Sequence, residues 1–160
     1  MPALHLTEAL KTIGLLKPAA DAAGRTGRWI SLKETHGLWL VCYIDQGNAA
    51  TIALTPKQAT NVAGAGAKNL INPTQIWAIL DHAASDAWVR QTDATSFTTD
   101  AGVKEKVVAF KVPAAALDGN NAFRCFTVAT GASNAANITS AFAVLDFRYE
   151  QATVPSVLVD

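Results

Sequence analysis

The sequence is poor in the residues on which most active-site chemistry depends. Among 160 residues there are two cysteines and three histidines, and only 16% of the chain is charged. The histidines, His5, His36 and His82, stand apart from one another and from Cys42 and Cys125. No H-x-x-x-H or C-x-x-C spacing occurs, which argues against a zinc site, and no cofactor is expected. Excess charge of either sign is missing too, since thirteen basic residues balance thirteen acidic ones. The longest like-charge neighbourhood, Lys104, Glu105 and Lys106, alternates in sign. Chains that live on nucleic acid or on an anionic membrane normally show a basic excess or patch, so both partners are disfavoured. No apolar run approaches the roughly 18 residues that span a bilayer. The opening MPALHLTEALKTIG has neither the basic start nor the long apolar segment of a signal peptide, so a soluble protein with reduced thiols is expected. The two cysteines lie in apolar runs and read as buried small hydrophobes.

What the sequence does have is apolar residues, at 50%, and at this length they suffice for one domain with an ordinary core. They fall into many short β-type runs separated by turn residues. Residues 28–33 alternate, with Ile30 and Leu32 on one face and Trp29 and Ser31 on the other. Residues 38–44, LWLVCYI, are continuously apolar, as expected of a central strand covered on both sides. Further runs lie at 50–55, 75–80, 87–92, 96–100, 106–112, 123–130 and 139–149. In the last, Ala141, Ala143, Leu145 and Phe147 share a face. Long amphipathic crossover helices are absent, which favours an antiparallel sandwich or barrel over a parallel sheet.

The ends are read differently. Leu6, Leu10 and Ile13 have helical spacing before Gly14 and Pro18, so a short helix and an extended arm are equal alternatives for 6–16. Residues 19–27 are small and polar and read as a linker. The expected organisation is an N-terminal arm and linker over 1–27, a β-sandwich over 28–149 and a C-terminal tail over 150–160. Leu4, Leu6, Leu10 and Ile13 at one end, and Val154, Pro155, Val157 and Leu158 at the other, lie outside the strand pattern. They are candidate interaction residues, with closure of the domain's own core as the competing role.

Few motifs invite a catalytic reading, and each fails on its surroundings. Gly64-Ala65-Gly66-Ala67-Lys68-Asn69 resembles a phosphate loop but lacks the last glycine of the dinucleotide pattern and the hydroxyl of a Walker loop. It reads as a connection between strands, with Lys68 facing solvent or a neighbouring subunit. Asp81, His82, Ser85 and Asp86 contain the residue types of a triad without a nucleophile elbow, and read as a polar loop. The acids are scattered rather than paired for glycoside hydrolysis. No catalytic or metal-binding residue is expected, and the chain is not read as an enzyme. Of the four tryptophans, Trp39 and Trp77 sit in apolar runs and are assigned to the core. Trp29 and Trp88 have polar neighbours and suit a protein interface or a carbohydrate-stacking surface.

Several segments together resemble a known family. TIALTPKQAT followed by a small-residue Gly-x-Gly-x-Lys loop, SLKETHGLWLVCYIDQGNAATIAL, ALDGNNAFRCFTVATGASNA and the closing FRYEQATVPSVLVD resemble the head decoration, or capsid cement, proteins of tailed bacteriophages. The likeness extends over nearly the whole chain through diffuse motifs, the last carried by Arg148, Tyr149, Pro155, Ser156 and Asp160. It implies an all-β sandwich of jelly-roll type, made in the host bacterial cytoplasm, that binds the major capsid protein from outside and clamps neighbouring capsomers. It also implies a dimer or trimer at a symmetry axis. A tail or baseplate component and a carbohydrate-binding module are the alternatives, because the sandwich fold hosts all three.

Overall fold

The computed structural model describes residues 10–149 and 153–160. Within them the chain is an antiparallel β-sandwich. In chain order the strands are β1 (Leu10–Ala20), β2 (Arg25–Thr26), β3 (Ile30–Ser31), β4 (Thr35–Gln46), β5 (Ala53–Ala59) and β6 (Lys68–Asn69). They continue with β7 (Gln75–Ile79), β8 (Val89–Arg90), β9 (Phe97–Thr98), β10 (Glu105–Pro113), β11 (Cys125–Thr130) and β12 (Asn137–Phe147). Helix is confined to two single 3-10 turns, Ala114–Ala116 and Gly119–Asn121. One sheet has the order β1-β12-β4-β10-β7-β8, and the other runs β2-β11-β5-β6, with β3 added to β11 and β9 to β5.

Alternation explains why the sheets stack. Leu38, Leu40, Cys42 and Ile44 of β4 point inward with Val108, Phe110 and Val112 of β10, Ala141, Ala143 and Leu145 of β12, and Ile76 and Ala78 of β7. Against them pack Ile30, Leu32, Ile52, Leu54, Leu70, Phe126 and Val128 from the other side. Both cysteines are buried and unbridged. Burial raises the Cys42 thiol far above its ordinary range, with the nearby Asp21 charge adding to the effect. Neither thiol is positioned to act as a nucleophile.

Residues 10–20 form neither a helix nor a free arm. They are an eleven-residue strand hydrogen-bonded antiparallel to β12 along Leu10↔Asp146 to Ala20↔Ile138. Leu10 and Ile13 then fall on opposite faces, Ile13 against the core. The segment 19–27 is likewise not a linker. Asp21 is fully buried and turns the chain from one sheet to the other. Arg25 donates to Asp21 Oδ1 (3.0 Å) and to the carbonyls of Lys17, Ala19 and Thr139, while Thr130 Oγ1 donates to the same carboxylate (2.8 Å). A buried carboxylate is tolerated when it is paired in this way.

Pro56 lies inside β5 rather than ending it. Its carbonyl accepts from Leu70 N–H, so its missing donor would point to that same side. There β9 pairs only with Ala53 and Leu54, and β6 only with Lys57 and Gln58, leaving a gap at the proline. A proline in a strand needs such a gap.

Candidate binding face

The outward side of the larger sheet is not a solvated polar surface. Register places Phe142, Val41, Ala109 and Trp77 in one row across β12, β4, β10 and β7, with Arg90 of β8 at its end. The adjoining row holds Val144, Trp39, Lys111 and Gln75, and the row on the other side holds Ser140, Tyr43, Val107 and Ile79. Trp39 is 40% exposed, Tyr43 37% and Phe142 38%, and among the described residues no second layer lies above them. This corrects the reading of 38–44 as a strand covered on both faces. Its even-numbered residues are core, and Trp39, Val41 and Tyr43 form part of an uncovered face.

Within that face Trp39, Val41, Trp77, Trp88 and Ala109 line a cleft of about 440 Å³. The rings of Trp39 and Trp77 lie 5.2 Å apart with planes inclined by 49°. The Arg90 guanidinium covers the Trp77 ring at 4.6 Å, and the Lys111 ammonium lies 5.9 Å from the Trp39 ring. Arg90 is itself fixed by donation to the carbonyls of Ile76 (3.1 Å) and Gln91 (3.0 Å) and by an ion pair with Asp93. Trp88, 48% exposed, precedes β8 and completes the cleft. Trp39 and Trp77 are therefore surface aromatics, contrary to their assignment to the core.

The residues singled out from the sequence do not converge on one place. Leu4 and Leu6 lie outside the described residues. Leu10 is half-buried on edge strand β1. Trp29 lies between β2 and β3 and packs over the glycine loop, away from Trp88. Val154 and Pro155 are half-buried, Leu158 is exposed, and Val157 is 3% exposed within the core. The tail is held to its own domain, because Ser31 N–H donates to Val157 O (2.8 Å) and Lys11 Nζ to Pro155 O (2.6 Å). Val157 is thus not available to a partner in this arrangement. Of the expected tryptophan pair only Trp88 joins an aromatic site, and its companions are Trp39 and Trp77. The signal that could have found them is the odd-numbered set Trp39, Val41 and Tyr43, which a one-sided sheet leaves outside.

The glycine loop is a structural element. Asn61 Oδ1 accepts from Ala63 and Ala65 N–H, and Gly64 adopts φ +82°. Any Cβ at Gly64 would meet Trp29 Nε1 at 2.5 Å, so glycine is required by conformation and by space. Lys68 does not face solvent freely. It ion-pairs with Asp118 at 2.6 Å and lies 4.1 Å from the Phe123 ring. The Lys68 hydrogen bond, with help from Asn121, holds the Asp118 carboxyl below its usual range. Asp160 Oδ2 accepts from Val62 N–H (3.0 Å), so the tail also fastens this loop. Burial, with the hydrogen bond to Asp160 second, pushes the Cys125 thiol up to about 12.

Asp81, His82 and Ser85 do not form a nucleophilic arrangement. The Asp81 carboxylate pairs with Lys104, which holds it below its usual range, and His82 stands edge-on to Tyr43 with ring centroids 6.3 Å apart. Among the described residues no group of three His, Cys, Asp or Glu side chains converges as a metal set, and no helix is long and apolar enough to cross a membrane.

Comparisons with known proteins bear only on architecture. No family model matches the chain, and no curated protein matches its sequence. YomS, a protein derived from the SPBc2 prophage, aligns structurally with a TM-score of 0.49 and 9% identity, over 86% of this chain and 93% of its own. A candidate sugar-binding protein from Bacteroides thetaiotaomicron aligns with a TM-score of 0.28 and 11% identity, over 86% of this chain and 88% of its own. At such values neither neighbour's role transfers to this chain.

Proposed function

We propose that this chain is a virion structural protein that binds the outer surface of a tailed-phage capsid and cements neighbouring major capsid protein subunits. It acts by contact and performs no catalysis. The observation that carries the reading is the outer face of the β1-β12-β4-β10-β7-β8 sheet, uncovered among the described residues, where Trp39, Tyr43 and Phe142 are exposed in adjoining rows. A contiguous aromatic and aliphatic patch on a protein with balanced charge marks a protein-contact surface. The family resemblance supplies the identity of the partner. Repetition of that partner over a capsid would add multivalency, and a dimer or trimer would extend it.

The test is to mix the purified protein with capsids that lack it. Stoichiometric surface density and a raised capsid melting temperature are expected. Assembly into rings or tubes without capsid binding would transfer the protein to the tail or baseplate. One observation favours a second reading, a carbohydrate-binding module: three tryptophans around a single cleft could stack sugar rings. Specific glycan binding without capsid binding would establish that reading in place of the first.

A further inference from the structure

We infer that the tryptophan cleft is the anchor point of the interface, seating an apolar side chain that is flanked by a carboxylate on the partner surface. The inference rests on the capsid-binding reading above. Four features of the cleft define that occupant. Its lining is three indoles, a valine and an alanine, with no hydroxyl, carboxyl or amide side chain. A sugar stacked there would find no side-chain hydroxyl, carboxyl or amide in the lining to fix its hydroxyl groups, whereas an aliphatic or aromatic side chain needs none. Its volume of about 440 Å³ accommodates one or two large side chains.

The cleft is also pre-organised. Trp77 is backed by β10 and covered by Arg90, which two carbonyls and Asp93 hold in place. A rigid aromatic pocket loses little entropy on binding and is the usual seat of an energetic hot spot. The rim then sets the charge of the partner. Lys111 has no hydrogen-bond acceptor or ion-pair partner among the described residues, and its ammonium lies 5.9 Å from the Trp39 ring centroid. Of the acids on this face, Asp45 and Glu105 share a row three rows from Lys111, Asp146 of β12 lies one row away across two strands, and Asp93 is already paired with Arg90. A carboxylate beside the inserted side chain would complete Lys111, and an ammonium there would be repelled.

The deciding experiment measures binding of the full chain and three variants to capsids lacking the protein, with circular dichroism and thermal unfolding confirming each fold. Trp88→Ala removes the most exposed indole of the cleft and is expected to weaken binding at least about 30-fold. Lys111→Glu is expected to weaken it about tenfold and to reverse its salt dependence. Ile71→Ala, at an exposed residue outside the cleft, is expected to bind as wild type does. If wild type binds and both cleft variants bind equally well, the cleft inference is overturned while the capsid reading stands. If wild type binds no capsid, the capsid reading itself fails. A second measurement titrates soluble glucan and chitin oligosaccharides. Binding that Trp88→Ala abolishes would overturn the apolar-side-chain assignment in favour of a glycan.

Discussion

Lys106 offers the most direct test of how the sandwich is held together. It is a fully buried lysine on the inward face of β10. Its ammonium donates to Gln46 Oε1 (2.7 Å), Asp100 Oδ1 (2.7 Å), Asp100 O (3.2 Å) and Gly102 O (2.5 Å). The arrangement ties the loop before β10 to the end of β4. Lys106→Met keeps most of the stem and removes the charge, so the loss is polar rather than a cavity. Gln46, 1% exposed, keeps its Nε2 bond to Asp100 O but is left with an orphaned oxygen. That orphan is worth about 1–3 kcal/mol, and the lost charge-assisted bonds add about 1.5 kcal/mol or more. The Asp100 carboxylate is 53% exposed and returns to water, so its ion pair contributes little. The expected loss is about 3 kcal/mol, or roughly 6–12 °C in Tm for a domain of this size. Asp100→Asn should lose only about 1 kcal/mol. Urea unfolding followed by tryptophan fluorescence measures both, with m unchanged. A Lys106→Met variant within about 1 kcal/mol of wild type, or an Asp100→Asn variant that is the less stable of the two, would refute the cage as a stabilising element.

Three further expectations follow from other parts of the molecule. Gly64→Ala places a methyl group against the Trp29 indole at φ +82°, so it should lose about 2 kcal/mol and change Trp29 emission, both read in one denaturation series. Hydrogen bonds from Lys104, Lys106 and Lys68 are the largest causes holding Asp81, Asp100 and Asp118 below the ordinary 3.8. A carboxyl depressed in the folded state contributes stability that is intact above its unfolded value and is lost as pH falls through the folded one. The unfolding midpoint in urea should therefore hold between about pH 5 and 7 and decline below about pH 4; a flat profile to pH 2 would contradict the three pairs. Deleting residues 1–18 removes most of β1 and its ladder to β12, and should leave no cooperative thermal transition.

How much of this was legible beforehand depends on how regularly each segment alternates. The runs at 106–112 and 139–149 stand within two residues of β10 and β12, because Val108, Phe110 and Val112, and Ala141, Ala143 and Leu145, keep the period of two that one buried face imposes. β1 was not legible for the opposite reason. Its pairing shifts between Gly14 and Leu16 and again between Leu16 and Ala19, and each irregularity breaks the alternation. Leu10 and Ile13 were left with an accidental helical spacing. Asp21 and Arg25 passed for a polar linker because their bond to each other is invisible until the turn brings them together. Lys106, one of three alternating charges, gave no sign of its burial, since its oxygen partners come from β4 and from the loop before β10.

The candidate site divides in the same way. That the chain is a neutral, all-β domain without a metal-ligand motif is determined by composition and by short-range periodicity, which are local properties. That β4 presents Trp39, Val41 and Tyr43 to the outside is a tertiary fact. An antiparallel strand buries one face by pleating, but whether a second layer covers the other depends on where the remaining strands go. Here, among the described residues, the strands outside its own sheet pack against the inner face. Residues of β4, β7 and β10 together with Trp88, separated by up to 70 positions in the chain, therefore meet around one open cleft.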